Sequence, residues 1–185
     1  MEWRLSNRAD PEARVIADRH YNRQKPGSPQ FVPPGRCLVL LAPGPCLWVT
    51  SWPFAQYVKH AWAGAWMCSC YRREGGQRAS DAIRDAVAAT RWRYGEPPDL
   101  GMVTFLDPCR VRPIKTRGIE TFGRTWFLAG FRPVGSTKGG LLAFQLLPCD
   151  MPDPYSPADA RVTSSQLPLL PAVGGDCPDQ GEEER

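Results

Sequence analysis

The chain has 185 residues, of which 42% are hydrophobic and 10% aromatic, a composition typical of a globular protein with one sizeable core. It contains no run of eighteen apolar residues and no apolar stretch near its start that resembles a signal peptide, so we expect a cytoplasmic protein with no membrane partner. Its seven cysteines are odd in number and form no CxxC pair, which predicts free thiols rather than disulfides.

Charge is unevenly distributed along the chain. Residues 1–150 contain 21 Lys or Arg and 12 Asp or Glu, a net charge of +9, whereas residues 151–185 contain 2 and 7, a net charge of −5. A basic body favours a polyanion such as DNA, RNA or a phosphate-bearing cofactor, although solvated arginines without such a ligand are also common. The acidic tail is rich in Pro, Gly and Ser. We therefore predict one domain over residues 1–150 and a disordered tail over residues 151–185.

The first predicted element is a helix. Asn7 or Asp10 can cap it, and Pro11 suits its first turn. Apolar residues recur at helical spacing as far as Tyr21. His20 and Tyr21 are therefore expected on the last turn of this helix.

Three strands are expected next. CLVLLAP (37–43) and LWVTSWP (47–53) are short apolar runs separated by PGP, which predicts an antiparallel hairpin. Residues 54–65 fit either a short helix or a loop that packs aromatic side chains. WMCSCYRRE (66–74) alternates as a strand does.

The second half of the body alternates helices and strands. SDAIRDAVAATRWRYG is an amphipathic helix with Ser80 as its expected N-cap, and GMVTFLDP (101–108) is typical of a buried strand. RVRPIKTRGIE is expected to be a basic loop, TFGRTWFLAGF a short helix ending at Gly130, and RPVGSTKGGLLAFQLLP a final strand or hairpin. This order predicts an α+β or α/β domain with one central mixed sheet flanked by helices.

The turn from Glu74 to Ser80 joins a strand to a helix N-terminus. Unpaired N–H groups and the helix dipole favour an anion at such a place, and glycines let the backbone approach a pyrophosphate closely. The plainer alternative is a turn with no ligand. The candidate cofactor-binding residues are Gly75, Gly76, Arg78 and Ser80.

The order strand, glycine turn, helix, strand, short helix, Ala129-Gly130-Phe131 and strand resembles the GNAT acyltransferase superfamily, in which this turn holds the pyrophosphate of acyl-coenzyme A. Three motifs, RHYN at 19–22, VTFLDP at 103–108 and GRTWFLAGF at 123–131, together resemble the Mom family of phage DNA-modification proteins, a GNAT-fold branch. The resemblance covers about residues 3–148. It implies a GNAT-like transferase that carbamoylmethylates the exocyclic amino group of adenine in DNA and protects phage or mobile-element DNA from restriction.

The resemblance also implies roles for single residues and a cofactor. By position, His20 and Tyr21 match the His-Tyr pair of the family, and Asp107 matches the acid after the buried strand. An acyl-coenzyme A-type donor and iron are implied in the same way. On chemical grounds alone, a poorly nucleophilic amine needs a base to take its proton, and histidine beside a tyrosine hydroxyl suits that task. Asp107 either orients His20 or a base edge, or caps the loop before Pro108.

Metal ligands stay unassigned at the sequence level. The histidines His20 and His60, the carboxylate of Asp107, and the thiols of Cys68 and Cys70 supply suitable atom types. Strand alternation, however, predicts both cysteines on one face of the sheet, where a core role is expected. His60 lies among aromatic residues and is expected to pack there.

Double-stranded DNA is the expected partner, and the sequence does not indicate an oligomeric state. Trp52 and Trp62 are candidates to stack on a flipped base, with a core role as the alternative. Two rival functions remain open, an acyl-coenzyme A-dependent N-acetyltransferase of a small amine or protein and a non-catalytic nucleic-acid-binding protein. The basic candidates for phosphate contacts fall in three clusters, near the RHYN motif, around the glycine turn (Arg72, Arg73 and Arg78) and in the loop after residue 108. Those assigned to DNA are Arg19, Arg23, Lys25, Arg36, Arg110, Arg112, Lys115 and Arg117.

Overall fold

A computed structural model describes residues 2–32, 35–116 and 118–158 of the chain. The domain is built on a mixed sheet of seven strands in the order β1-β2-β3-β4-β5-β9-β8, which confirms the predicted α+β class. These strands are β1 (Arg4–Ser6), β2 (Arg36–Ala42), β3 (Cys46–Trp52), β4 (Trp66–Arg73), β5 (Met102–Leu106), β8 (Arg132–Ser136) and β9 (Leu142–Leu146). The helices are α1 (Pro11–Asp18), α2 (Ala79–Tyr94) and α3 (Arg124–Leu128).

The helices α1 and α2 cover opposite faces of the sheet. Because side chains alternate along a strand, Leu40 belongs to the core on the α2 side and Leu41 to the core on the α1 side. Both are essentially inaccessible to solvent, and burial of a leucine of this kind contributes about 1.5–3 kcal/mol. The α2 side also holds the fully buried rings of Trp48 and Trp66. The larger core therefore lies under α2.

The central strands explain how the sheet is joined. The predicted hairpin is confirmed, since β2 and β3 pair antiparallel from Arg36–Trp52 to Ala42–Cys46. Strand β4 then runs antiparallel to β3, and β5 runs parallel to β4 after the crossover through α2. Strands β8 and β9 form a closing hairpin, with β9 antiparallel to β5.

The first helix is shorter than predicted. It is capped by Asp10, whose carboxylate accepts from the N–H groups of Glu12 and Ala13, and it ends at Asp18. The expectation that His20 and Tyr21 lie on its last turn is therefore wrong. The Asp18 carboxylate accepts from Arg23 and from the N–H of residue 27, which folds the chain after the helix into a compact loop.

Strand β4 carries an irregularity that alternation alone does not predict. Val49 pairs with Cys70 and the next residue, Thr50, pairs with Cys68, so Ser69 is the extra residue of a β-bulge. Cys68 consequently belongs to the α2-side core, whereas Cys70 packs against the α1-side core. The prediction that both cysteines share one face is wrong for this reason.

Other corrections concern the ends of elements. Arg78, not Ser80, is the N-cap residue of α2, and Ser80 is buried inside its first turn. The region expected to be only a basic loop contains a separate two-stranded sheet of β6 (Ile114–Thr116) and β7 (Ile119–Thr121). Strand β1 was not predicted, because three residues are too few to show a periodic pattern.

The first part of the predicted tail packs on the domain. The N–H of Tyr155 donates to the carbonyl of Ala88 in α2, and the N–H of Ala158 donates to the carbonyl of Trp3. The rest of the tail predicted to be disordered, residues 159–185, lies outside the described residues. In the described part of the chain, every helix is too short or too polar to cross a lipid bilayer.

We expect Gly44→Ala to destabilise the domain more than Gly140→Ala does. Both glycines lie in hairpin connections with positive φ, +80° and +82°, but a Cβ on Gly44 would lie 2.7 Å from the nitrogen of Gly76, whereas one on Gly140 meets nothing within 4 Å. Positive φ alone costs alanine about 1–2 kcal/mol, and overpacking adds about 1–3 kcal/mol. Urea unfolding of both variants measures the difference. Equal decreases in stability would show that the contact between residue 44 and the main chain of Gly76 does not require glycine at position 44.

Candidate active site

Strands β4 and β5 separate partway along their length and open a cleft between them. Their pairing runs from Trp66–Met102 to Cys68–Thr104 and stops there, although β4 continues to Arg73. The cleft is small, about 70 Å³, enough for a few water-sized groups. Its lining comes from the loop after α1, from both strands and from α3, and comprises His20, Tyr21, Asn22, Cys68, Ser69, Cys70, Tyr71, Thr104, Phe105, Leu106 and Trp126.

The loop after α1 enters this cleft and supplies hydrogen bonds at the divergence. The Asn22 side-chain amide donates to the carbonyl of Ser69 at 3.0 Å, and the Tyr21 hydroxyl lies 3.5 Å from the carbonyl of Phe105. Within the sheet, the Thr104 hydroxyl donates to the carbonyl of Cys68. The contacts of Asn22 and Tyr21 link the loop after α1 to both strands at the point where they separate.

His20 is held by Asn22 in a defined orientation. The Asn22 amide nitrogen faces the Ser69 carbonyl, which can only accept, so the amide oxygen must face Nδ1 of His20. That oxygen accepts from the Nδ1–H, a stronger interaction than the 3.3 Å approach of the Asn22 main-chain N–H to the same nitrogen. This contact favours the neutral tautomer of His20 that has its proton on Nδ1 and its lone pair on Nε2.

The surroundings keep His20 neutral at rest while preparing it to accept a proton. Burial lowers its pKa below the ordinary value of 6.5, and the positive charge of Arg72 acts in the same direction. Hydrogen bonds to Asn22 and to the main chain of Tyr71 oppose this shift, because they favour the protonated ring. A ring that is neutral but supplied with acceptors suits a general base.

Tyr21 remains protonated beside His20. The two rings stack with their centroids 4.4 Å apart. Burial raises the pKa of Tyr21, and the negative charge of Asp107 raises it further, while a hydrogen bond with the main chain of Asp107 acts against these effects. The hydroxyl is therefore a hydrogen-bond donor at neutral pH rather than a phenolate.

Asp107 lies near the cleft but its oxygens are engaged elsewhere. One oxygen accepts from the N–H of Cys109 at 2.9 Å, and the other lies 3.5 Å from Nε of Arg110. Asp107 therefore caps the loop before Pro108, which the sequence analysis offered as the alternative to orienting His20. Asp107 thus acts on Tyr21 through its charge and does not contact His20 in a described hydrogen bond.

Charged side chains fasten the loop to both sides of the cleft. On the β4 side, Arg72 donates to the carbonyl of Arg19, and Glu74 binds both of these arginines. On the β5 side, Arg110 donates to the carbonyl of Tyr21. The loop position is therefore fixed by residues that lie far away in sequence.

The basic candidates for DNA contacts fall into distinct environments. Lys25, Arg112 and Lys115 are exposed, and Arg110 stands at the cleft through its contact with Tyr21. Arg23 is nearly buried, with 11% of its side chain exposed, because it is paired with Asp18 and bonded to Ser28. Arg117 lies outside the described residues.

Arg36 and Trp52 are not brought to the cleft. They pair across the β2–β3 hairpin at the end of the sheet next to Trp66, where the guanidinium of Arg36 lies 4.9 Å from the Trp52 ring. Trp62, in contrast, packs on Phe105, which lines the cleft, and so does His60. Of the two tryptophans considered for stacking, only Trp62 lies beside the candidate site.

The glycine turn is close-packed against the chain itself. Gly44 of the β2–β3 turn approaches the main chain of Gly75 and Gly76, so a Cβ on Gly44 would lie 2.7 Å from the nitrogen of Gly76, whereas one on Gly75 would make only ordinary contacts of 3.4 Å or more. Gly76 has a φ of +80°, which favours glycine there without a ligand. Arg73 donates to the carbonyls of Gly75, Gly76 and Gln77, and Ser80 is buried. What remains for an anionic group of an acyl-coenzyme A-type donor is the exposed Arg78 and the start of α2, which has no side-chain cap.

The candidate iron ligands do not come together in one place. Among residues 2–32, 35–116 and 118–158, no group of three or more His, Cys, Asp or Glu side chains comes together in a way that could hold a metal ion. The bulge at Ser69 separates Cys68 from Cys70, and burial raises the pKa of both thiols, which opposes the thiolate form that metals bind. The residues that the structure describes therefore do not fit an iron site.

Asn22 is the site residue that the sequence analysis did not identify. It forms part of a polar run, and its position two residues after a histidine allows a local side-chain contact. Ser69 gives no signal, because nothing in a strand pattern marks a bulge at a serine. Thr104 and Phe105 lie within the predicted strand, and its apolar run does not distinguish them from their neighbours.

We expect the two histidines to make stability pH-dependent in the same direction. Burial lowers the pKa of His20 and of His60 in the folded protein. The unfolded chain therefore binds more protons than the folded one, and the free energy of unfolding decreases as pH falls through the ordinary histidine pKa of 6.5. Urea unfolding between pH 7.5 and 5.5 should show this loss in the wild type, less of it in His20→Gln and in His60→Gln, and least in the double variant. Parallel profiles for all four proteins would contradict it.

The comparisons with known proteins gave no match. No protein-family model, no curated protein and no solved structure matches this chain. The resemblance to the Mom family therefore stays a prediction, and function has to be inferred from the residues of the cleft and the charge around it.

Proposed function

We propose that this chain is a DNA-modifying transferase that acts on the exocyclic amino group of adenine. In line with the family resemblance, the transferred group is carbamoylmethyl, and the modification protects phage or mobile-element DNA from restriction in the cytoplasm. The observation that carries the proposal is the insertion of His20 and Tyr21 into the cleft between β4 and β5, on a body with a net charge of +9.

The residues of the cleft support a proton transfer coupled to bond formation. The amino nitrogen of adenine attacks the methylene carbon of a donor whose carbamoylmethyl group carries a leaving group on that carbon, an alkylating rather than an acylating donor. A new N–C bond forms, and the bond from the methylene carbon to the leaving group breaks with its electron pair. Nε2 of His20 takes the proton that the nitrogen loses. Asn22 and the main chain of Tyr71 then stabilise the imidazolium.

Tyr21 supports this step as a hydrogen-bond donor. Its hydroxyl stays protonated because of burial and the nearby charge of Asp107, and its ring is stacked on His20. When substrate is bound, the hydroxyl would exchange its long 3.5 Å contact with the carbonyl of Phe105 for a hydrogen bond to the acceptor or the departing group beside the base. The small size of the cleft means that only the reacting groups enter it, while the rest of the nucleotide lies at its mouth.

The basic residues after β5 support a DNA substrate. Arg110 donates to the carbonyl of Tyr21, so the segment that carries the exposed side chains of Arg112 and Lys115 begins at the cleft. Phosphate contacts from this segment would hold the duplex beside His20. A base in a duplex must leave the stack to reach a cleft of this kind.

An acyl-coenzyme A-dependent N-acetyltransferase is the second candidate. The uncapped start of α2 and the exposed Arg78 favour it, since together they suit a phosphate group. The packing of Gly44 against Gly75 and Gly76 and the burial of Ser80 disfavour it. Tight, salt-resistant binding of coenzyme A that is lost in Arg78→Gln would select this candidate over DNA modification.

DNA from a bacterial host that expresses the full chain should contain modified adenine. After digestion to nucleosides, mass spectrometry is expected to detect deoxyadenosine heavier by one carbamoylmethyl group. His20→Gln should reduce its amount by about 10²–10⁴-fold, the typical contribution of a general base, and Tyr21→Phe by roughly 10-fold, as for the loss of one hydrogen bond.

Tyr155→Phe is the matched control, because Tyr155 is 69% exposed and lies away from the cleft residues in sequence and packing. Thermal unfolding of each variant confirms that it is folded. Unmodified DNA in cells with abundant, folded wild-type protein would refute the proposed reaction.

Neutralising the segment after β5 should weaken DNA binding and its salt dependence. We expect Arg110→Gln, Arg112→Gln and Lys115→Gln in one protein to lower the slope of log K against log salt by about 0.9 for each phosphate that the protein no longer neutralises. The control removes the same charge elsewhere, with Arg84→Gln, Arg93→Gln and Lys138→Gln, and should leave the slope almost unchanged. Equal slopes for the two triple variants would remove this segment from the DNA interface.

A further inference from the structure

Residues 54–62, here called the aromatic arm, present two rings to solvent. Phe54 is 64% exposed and Tyr57 is 74% exposed. Their centroids lie 6.4 Å apart in an edge-to-face arrangement; Phe54 precedes the short 3₁₀ turn Ala55–Tyr57, and Tyr57 ends it. Neither ring is used by the core or by the cleft.

The other end of the aromatic arm is fixed to the candidate site. The ring of His60 lies 4.9 Å and that of Trp62 lies 5.7 Å from the ring of Phe105. Nδ1 of His60 accepts from the main-chain N–H of Trp62, which stiffens this end. Phe105 lines the cleft together with Tyr21. The C-terminal end of the aromatic arm therefore packs beside the cleft, and its exposed rings lie a few residues earlier in the chain.

We propose that the aromatic arm binds unpaired nucleobases by stacking on Phe54 and Tyr57, and so holds opened or single-stranded DNA beside the cleft. The inference rests on the nucleic-acid part of the proposed function but not on its chemistry. Aromatic side chains give sequence-tolerant stacking because every base has a π-face. An enzyme that extrudes a base also leaves unpaired nucleotides that need such a surface.

Charge and composition favour nucleobases over a protein partner. The aromatic arm contains Lys59 and no acidic residue, within a body of net charge +9, which complements a polyanion. Its only branched aliphatic residue, Val58, is half-buried. The surface of two exposed rings is much smaller than the roughly 800 Å² that each partner buries in a stable protein interface.

The test compares two single-stranded oligonucleotides of equal length, one of thymidines and one with the same backbone but no bases. Fluorescence anisotropy should show that the wild type binds the strand with bases at least about 10-fold more tightly, the order expected for one or two stacked bases. Phe54→Ala with Tyr57→Ala should abolish this preference while leaving the salt slope unchanged, because no charge is removed. Phe54→Trp with Tyr57→Phe, which keeps both rings, should restore it.

Tyr155→Ala, which removes a comparably exposed ring elsewhere, should retain the preference. A wild type that binds the two strands equally, or a double alanine variant that keeps the preference, would overturn the inference. Base-dependent binding that persists in His20→Gln, or in a wild type that produces no modified DNA, supports the aromatic arm even if the proposed reaction fails. Modified DNA without base-dependent binding refutes the arm and leaves the reaction standing.

Discussion

Three main-chain carbonyls at the point where β4 and β5 separate determine the form of the candidate site. The carbonyl of Cys68 accepts from Thr104 within the sheet, while those of Ser69 and Phe105 are contacted by the side chains of Asn22 and Tyr21. The contacts of Asn22 and Tyr21 place the loop after α1 between the two strands. The same interactions that stabilise the open strands therefore bring a histidine and a tyrosine to the cleft.

The orientation of His20 follows from this constraint. Since the Ser69 carbonyl can only accept, it orients the Asn22 amide, and the amide oxygen in turn favours Nδ1 of His20 as a donor. Burial keeps the ring neutral, while its hydrogen-bond partners stabilise the protonated form. Hydrogen bonds from Arg72 to the carbonyl of Arg19 and from Arg110 to the carbonyl of Tyr21 hold the loop from both sides. The geometry is thus prepared before any substrate arrives.

The regular part of the fold could be predicted from the sequence because it is periodic. The hairpin of β2 and β3, strand β4, helix α2 and strand β5 all follow from apolar spacing and turn residues. The site depends on exceptions to periodicity. Tyr21 continues the apolar spacing of α1, yet Asp18 ends the helix by binding Arg23, and the bulge at Ser69 has no sequence signature. Side-chain contacts across 47 residues, such as that of Asn22 with Ser69, arise only from the folded topology.

The central claim is that Asn22 holds His20 as a neutral base with its lone pair on Nε2. Nuclear magnetic resonance of the ¹⁵N-labelled imidazole rings measures this directly in the wild type and in Asn22→Leu. We expect the pKa of His20 to lie below 6.5 and the neutral ring to carry its proton on Nδ1 in the wild type. Asn22→Leu should lose this tautomer preference, with His60 as the internal control. A neutral His20 protonated on Nε2, or a tautomer unchanged by Asn22→Leu, would contradict the account.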